Sequence, residues 1–335
     1  MRQLLLWTAA GIVTLGWMAC AKKSDKDMTR VVLYCSVDQA IAEPIIHAFE
    51  QSSGIRVLTR FDTEASKTVG LVQRLRAEKA APVADVFWSS EIFYTIRLAR
   101  EGLFTSYHDE QTENWPSELR DPNGVWYGFG LRGRVIGYHA QRVTEPPRSL
   151  EAILDPQWND RIVMAMPEFG TTGGDVAGWF VHYGRERAGK ILQRLKANHI
   201  RLVSGNSAAV RWVATGQADI CFTDTDDVYA AQRNQWPVAM VPLNQGGDGS
   251  LAIPNTAAQV KQGPHPRAAR ALMAFLLSET VERYLADSDS HNSPIHPSLQ
   301  NEFKAYRIAR PLDINYQRIA DQLPDAVKTA REILP

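Results

Sequence analysis

The run Thr223-Asp224-Thr225-Asp226-Asp227 puts three carboxylates within four residues of chain. Such groups repel one another unless a cation or hydrogen-bond donors neutralise them. Carboxylate oxygens suit Fe³⁺, Ca²⁺ or Mg²⁺, and an ammonium group equally well; a solvated helix cap is the bland alternative. Phe169-Gly170-Thr171-Thr172-Gly173-Gly174-Asp175 points to the opposite chemistry. Its glycines leave backbone N–H groups open, its two hydroxyls add donors, and a helix expected from about Asp175 turns its positive end toward an anion. Asn206 and Ser207, heading another helix, offer further donors. Turn glycines and N-caps explain both segments without any ligand.

These residues share a position, because each follows a stretch that reads as strand. Val31–Cys35, Ile55–Phe61 and Ala84–Trp88 are short apolar runs, alternating with helical patterns over 40–51, 66–79 and 93–101. A second set follows a loop rich in Pro, Trp and Gly. Strands are expected at Arg161–Ala165, Ile200–Val203, Asp219–Phe222 and Val238–Leu243, with a further element opening at Leu251–Pro254. Helices are expected over 175–183, 188–198, 210–215, 265–277 and 317–334. Alternation of this kind gives an α/β fold with a mostly parallel sheet, in which ligands sit beyond the carboxyl ends of the strands. The polar residues there are Ser36, Asp38, Thr63, Ser66, Ser90, Glu91, Asn206, Asp224, Thr225, Asp226 and Asp227 as ligand-binding candidates. Gly170, Thr171, Thr172, Gly173 and Asn206 are the anion-binding candidates. Carboxylates on one wall and amide donors on another suit either a metal–anion pair or a zwitterion.

Other motifs fail on context. Gly128, Gly130 and Gly133 spell G-x-G-x-x-G, but a β-like run from Arg134 follows where a dinucleotide loop needs a helix. Gly184, Gly189 and Lys190 match a phosphate loop, but Ile191 stands where its Ser/Thr belongs. The chain has no G-x-S-x-G, no H-E-x-x-H and no histidine pair at i,i+4, so no nucleophile–base pair and no catalytic residue is expected. The 335 residues suggest about two domains. Lys+Arg and Asp+Glu balance at 37 each, which disfavours nucleic-acid binding through phosphate neutralisation. Three cysteines without a C-x-x-C pair exclude a disulfide framework and a thiolate zinc site.

The single long apolar run is N-terminal. Residues 1–20 read as a signal peptide, with Arg2 as positive n-region and Leu4–Met18 as apolar h-region. Cys20 at the junction with a polar stretch suggests lipid attachment, while Ala19-Cys20-Ala21 also fits ordinary cleavage and free release. Export to the periplasm, with a membrane tie only through that lipid, is the expectation.

The ordered set VVLYCSVD, FDTEASKTVGL, ADVFWSSE, EGL, FGTTGG, SGNSAAV and FTDTDD resembles the ferric-iron-type solute-binding proteins of bacterial ABC importers. The resemblance spans almost the whole mature chain. It implies a two-lobed periplasmic-binding-protein fold (type II), with the ligand cleft between lobes joined by two crossing segments. Boundaries near Gly128 and Asn244 give one lobe of 21–128 with 245–335 and another of 129–244. It implies a monomer that delivers its cargo to a permease and ATPase, with no cofactor of its own. The default cargo is Fe³⁺ with phosphate or carbonate, and the metal ligands it implies are Asp38, Glu91 and Asp226. The family's adjacent tyrosine pair falls near Thr225 and Asp226, where this chain has no tyrosine. Wider members take phosphorylated sugars, aminophosphonates, thiamine or polyamines, so a phosphate- or phosphonate-bearing organic solute is the alternative cargo. A secreted transferase on the same fold is the rival from another class.

Overall fold

The computed structural model describes residues 28–62 and 68–334. The export signal, Cys20, Thr63 and Ser66 lie outside the described residues.

Three parallel strands, β1 (Arg30–Cys35), β2 (Arg56–Phe61) and β3 (Val86–Ser89), alternate with helices α1 (Gln39–Ser53), α2 (Val69–Ala77) and α3 (Phe93–Arg100). The short β4 (Phe104–Thr105) precedes the long β5 (Tyr127–His139). After the single turn α4 (Leu150–Ile153) comes the second set. It comprises β6 (Ile162–Ala165), α5 (Gly170–Tyr183), α6 (Arg185–Ala197), β7 (Arg201–Val203), α7 (Asn206–Ala214), β8 (Ile220–Asp224), α8 (Thr225–Arg233) and β9 (Val238–Pro242). The chain returns through β10 (Ala252–Val260) and closes with α9 (Pro266–Leu276), α10 (Glu279–Asp287) and α11 (Tyr316–Ile333).

The strand order is β2-β1-β3-β10-β5-β8-β6-β7, with β4 added on β10 and β9 on β5. Strand β5 belongs to both halves. Its residues Tyr127–Gly133 pair antiparallel with β10, and Arg134–Tyr138 pair antiparallel with β8, so its partner changes between Gly133 and Arg134. The chain crosses back between β9 and β10. One apolar cluster runs through both halves, with Phe87 and Phe93 from the first and Met164 and Phe222 from the second, and each half adds a cluster of its own. Leu33, Phe49, Trp88 and Leu272 pack the first under α1 and α9, and Val163, Val210, Cys221 and Val228 pack the second under α7 and α8. Each such fully buried side chain contributes on the order of 1.5–3 kcal/mol. Helix α11 packs on α3, α5 and α6 and so touches both sets.

Several boundaries around the site differ from the sequence expectation, and α10 was not expected at all. Helix α5 begins at Gly170, five residues before Asp175, so the glycine-rich segment is helical. The low helix propensity of glycine is overridden by close approach. A Cβ on Gly173 would lie 2.5 Å from the Pro167 carbonyl oxygen, and one on Gly174 only 1.9 Å from the Phe93 ring. Strand β5 starts at Tyr127, which places Gly128, Gly130 and Gly133 inside a strand. Helix α7 starts at Asn206 rather than Val210, and α8 at Thr225, directly after β8.

Because Phe93 is itself fully buried, its ring has nowhere to retreat. Gly174→Ala should cost about 1–3 kcal/mol through overpacking, more than the ~1 kcal/mol alanine gains as a helix former. The expected outcome is a thermal midpoint a few degrees below wild type; an unchanged or raised midpoint contradicts the close approach of α5 to α3.

Candidate functional site

Strand register builds the site. Arg134 on β5 is the cross-strand partner of Asp224 on β8, and Arg132, two residues earlier, shares its face of the strand. Arg134 Nη1 donates to Asp224 Oδ1 at 2.8 Å and to Thr171 Oγ1 at 3.3 Å, and its Nε donates to Asp175 Oδ2 at 3.1 Å. The other oxygen of Asp224 accepts from Thr171 Oγ1 at 2.5 Å and from Asn206 Nδ2 at 3.0 Å. Thr172 Oγ1 donates to Asn206 Oδ1 at 3.1 Å. One carboxylate thus joins β5, β8, α5 and α7.

Arg132 reaches the same acids more loosely. Its Nη1 lies 3.3 Å from Asp226 Oδ2 and its Nε 3.7 Å from Asp224 Oδ2, while Nη2 donates to the Ser90 carbonyl. Burial opposes its charge, but Asp226, Asp224, Asp227 and Asp38 outweigh that and hold its pKa above the ordinary arginine value. Burial likewise works against ionised Asp224, yet Arg134, Arg132 and the Thr171 hydroxyl hold its carboxyl below the usual range. Asp175 goes the other way: burial pushes it up in spite of Arg134. The shared guanidinium therefore favours Asp224, which it meets at the shorter distance.

Around these groups lies a cavity of about 30 Å³. Ser90 and Arg132 face it from one side; Phe169, Gly170, Thr171 and Thr172 from the start of α5; Ser204, Gly205 and Asn206 from the start of α7; and Asp224, Asp226 and Asp227 from the β8–α8 corner. One oxygen from each of these three aspartates lies within 4.8 Å of the others.

Of the residues singled out in the sequence, Ser90, Gly170, Thr171, Thr172, Asn206, Asp224, Asp226 and Asp227 meet at this cavity. The others stand apart. Ser36 is buried and accepts from the Ser90 amide at 2.9 Å and from Thr68 Oγ1 at 3.2 Å. Asp38 is exposed at the start of α1 and acts on the site through its charge on Arg132. Gly173 faces Pro167. Thr225 Oγ1 accepts from the Gly133 amide at 3.2 Å. Glu91 is fully buried and holds the first turn of α3, accepting from the Phe93 amide at 2.6 Å and the Tyr94 amide at 3.2 Å. Tyr229, the tyrosine nearest the aspartates in sequence, packs on α8 against the His291 and Tyr306 rings.

The sequence reading overlooked the arginines. Leu131-Arg132-Gly133-Arg134-Val135-Ile136 carried the signal, since two cations spaced i,i+2 in an otherwise apolar strand need buried partners.

A family model described as bacterial extracellular solute-binding protein matches residues 81–318. The chain belongs to that family. Members of the family are binding proteins rather than enzymes, and periplasmic export goes with membership. This solute-binding protein is the substrate-binding component of an ABC importer, with the two-lobed fold of its structural neighbours. Iron uptake protein A2 of Synechocystis sp. is 26% identical over 284 residues, covering 78% of this chain and 80% of that one. Iron-bound HitA from Pseudomonas aeruginosa superposes with a TM-score of 0.79 at 25% identity, covering 91% of this chain and 99% of HitA. The ferric binding protein from Campylobacter jejuni gives a TM-score of 0.81 at 21% identity over 90% and 99% of the two chains. Among the described residues no helix is long and apolar enough to cross a membrane.

Burial pushes the Glu91 carboxyl up to about 7, against the pull of the Tyr94 and Phe93 amides. The folded protein therefore holds this proton more tightly than the unfolded chain, whose carboxyl titrates near 4.5. The stability from this group is complete below the unfolded value and is lost as pH rises toward 7, a swing on the order of 3 kcal/mol. Glu91→Gln should flatten that part of the profile, so that thermal midpoints of variant minus wild type rise between about pH 5 and 7. A difference independent of pH contradicts a protonated Glu91.

Proposed function

We propose that this solute-binding protein carries ferric iron together with a small anion, phosphate or carbonate. The observation behind the reading is the convergence of Asp224, Asp226 and Asp227 on one wall of a very small cavity. Carboxylate oxygens are hard ligands for a hard trivalent ion. A cavity of about 30 Å³ is sized for an ion and one or two solvent-sized partners. The relatives named for iron uptake and ferric binding support the same choice.

In this reading Asp226 and Asp227 supply ligand oxygens, and Asp224, fixed by Arg134, supplies charge at a set position. Asp38 adds negative charge at the approach. The anion is held from the opposite wall by the start of α5 at Gly170, Thr171 and Thr172, with Asn206. Glu91 remains the anchor of α3 rather than a ligand, and no residue is catalytic. The lobes are 21–128 with 245–335, and 129–244, with β5 and the β9–β10 connection crossing between them. The change of partner at Gly133 and Arg134 offers the place where closure bends the strand. Loaded protein then docks as a monomer on its permease and ATPase. Residues 1–20 direct export, and an acylated Cys20 holds the mature protein at the membrane.

Asp226→Asn and Asp227→Asn should each weaken ferric binding at least about tenfold, because each removes a ligand charge. The check is equilibrium competition for iron against nitrilotriacetate, with phosphate present. Variants that hold iron as tightly as wild type contradict the assignment.

A further inference from the structure

The two arginines that neutralise the aspartates are held very differently. Arg134 makes hydrogen bonds to two carboxylates and a hydroxyl. Arg132 donates one hydrogen bond, to the Ser90 carbonyl, and meets the aspartates as ion pairs at 3.3 and 3.7 Å. Each arginine keeps one buried nitrogen without a hydrogen-bond partner, Nε in Arg132 and Nη2 in Arg134, and Arg132 is only 8% exposed. Arg132 also lines two cavities. One is the small site itself; the other is a cavity of about 230 Å³ beside it, walled in part by Glu118, Gly133, Ser293, Tyr306 and Arg307.

We propose that Arg132 is a displaceable counter-ion, occupying the cation position at Asp226 until cargo arrives and then withdrawing into the neighbouring cavity. The inference rests on the iron reading above. A trivalent ion bound to Asp226 and a guanidinium 3.3 Å from the same carboxylate cannot both stay in place, since like charges at that range repel strongly in a buried site. Arg134 is too firmly held to yield. Arg132 has fewer hydrogen bonds than Arg134 and adjoining space, whose wall carries the Glu118 carboxylate as an alternative partner together with Arg307. Cargo affinity in this arrangement is set by competition between the incoming ion and the chain's own cation. Arg132 is thus a specificity-determining residue: it discriminates against ions too weakly charged to expel it.

The test is Arg132→Gln, with Arg132→Lys as the charge-conserving control, and with ferric nitrilotriacetate as the probe. The expected results are a lower melting midpoint without iron and a ferric association constant at least about tenfold higher for the Gln variant, with the Lys variant near wild type. Mg²⁺ and Ca²⁺ should stabilise the Gln variant while leaving the wild-type midpoint unchanged. A Gln variant with unchanged or weaker ferric binding overturns the proposal, because a purely structural or anion-holding arginine gives that result. Arg132→Met serves in its place if the Gln variant does not melt cooperatively, with the same two outcomes. Iron uptake by the wild type with no gain in the Gln variant contradicts displacement and leaves the cargo reading standing; no iron uptake by the wild type contradicts both.

Discussion

The ion pair between Arg134 and Asp224 is the constraint around which this molecule is arranged. Both side chains are buried, and charges taken out of water cost several kcal/mol each unless geometry and further hydrogen bonds offset it. Here Asp224 meets Arg134 at 2.8 Å, Thr171 at 2.5 Å and Asn206 at 3.0 Å. These partners come from a neighbouring strand and from the first turns of two helices. The pair therefore fixes the start of α5, the start of α7 and the end of β8 relative to one another. Those three places are the ones that form the cavity. Loss of either partner would leave a buried charge uncompensated, so the site cannot be loosened without loosening the fold beneath it.

The same strand that carries Arg134 also links the two halves of the sheet. Its partner changes from β10 to β8 between Gly133 and Arg134, so the two arginines stand on either side of the crossing. Charge and mechanics are thereby coupled. Asp175, Asp224 and Asp226 are paired with Arg132 and Arg134 at the crossing point, with Asp227 on the same cavity wall. The carboxylates there are partly neutralised by the chain's own cations.

Much of this was legible in the residues. Short apolar strands followed by polar corners gave the α/β order, and the corners at Ser90, Thr171, Asn206 and Asp224 do come together. The demand that Asp224, Asp226 and Asp227 be neutralised was also readable. The identity of the neutralising groups was not, because strand register, which brings Arg134 opposite Asp224, is a long-range property. The glycines of 170–174 were read as open donors, whereas Gly173 and Gly174 serve close packing against Pro167 and Phe93. Glu91 lay at the right corner, but whether a side chain turns toward a cleft or back onto its own helix depends on tertiary packing. The two amides at the start of α3 claimed it.

Iron bound among the aspartates at the β8–α8 corner can be seen by anomalous diffraction at the iron edge, from crystals of protein loaded with ferric iron and phosphate. The expected result is a single strong peak in the cavity between Asp226 and Asp227, facing the start of α5. A peak elsewhere, or none from protein that carries iron in solution, rules that position out.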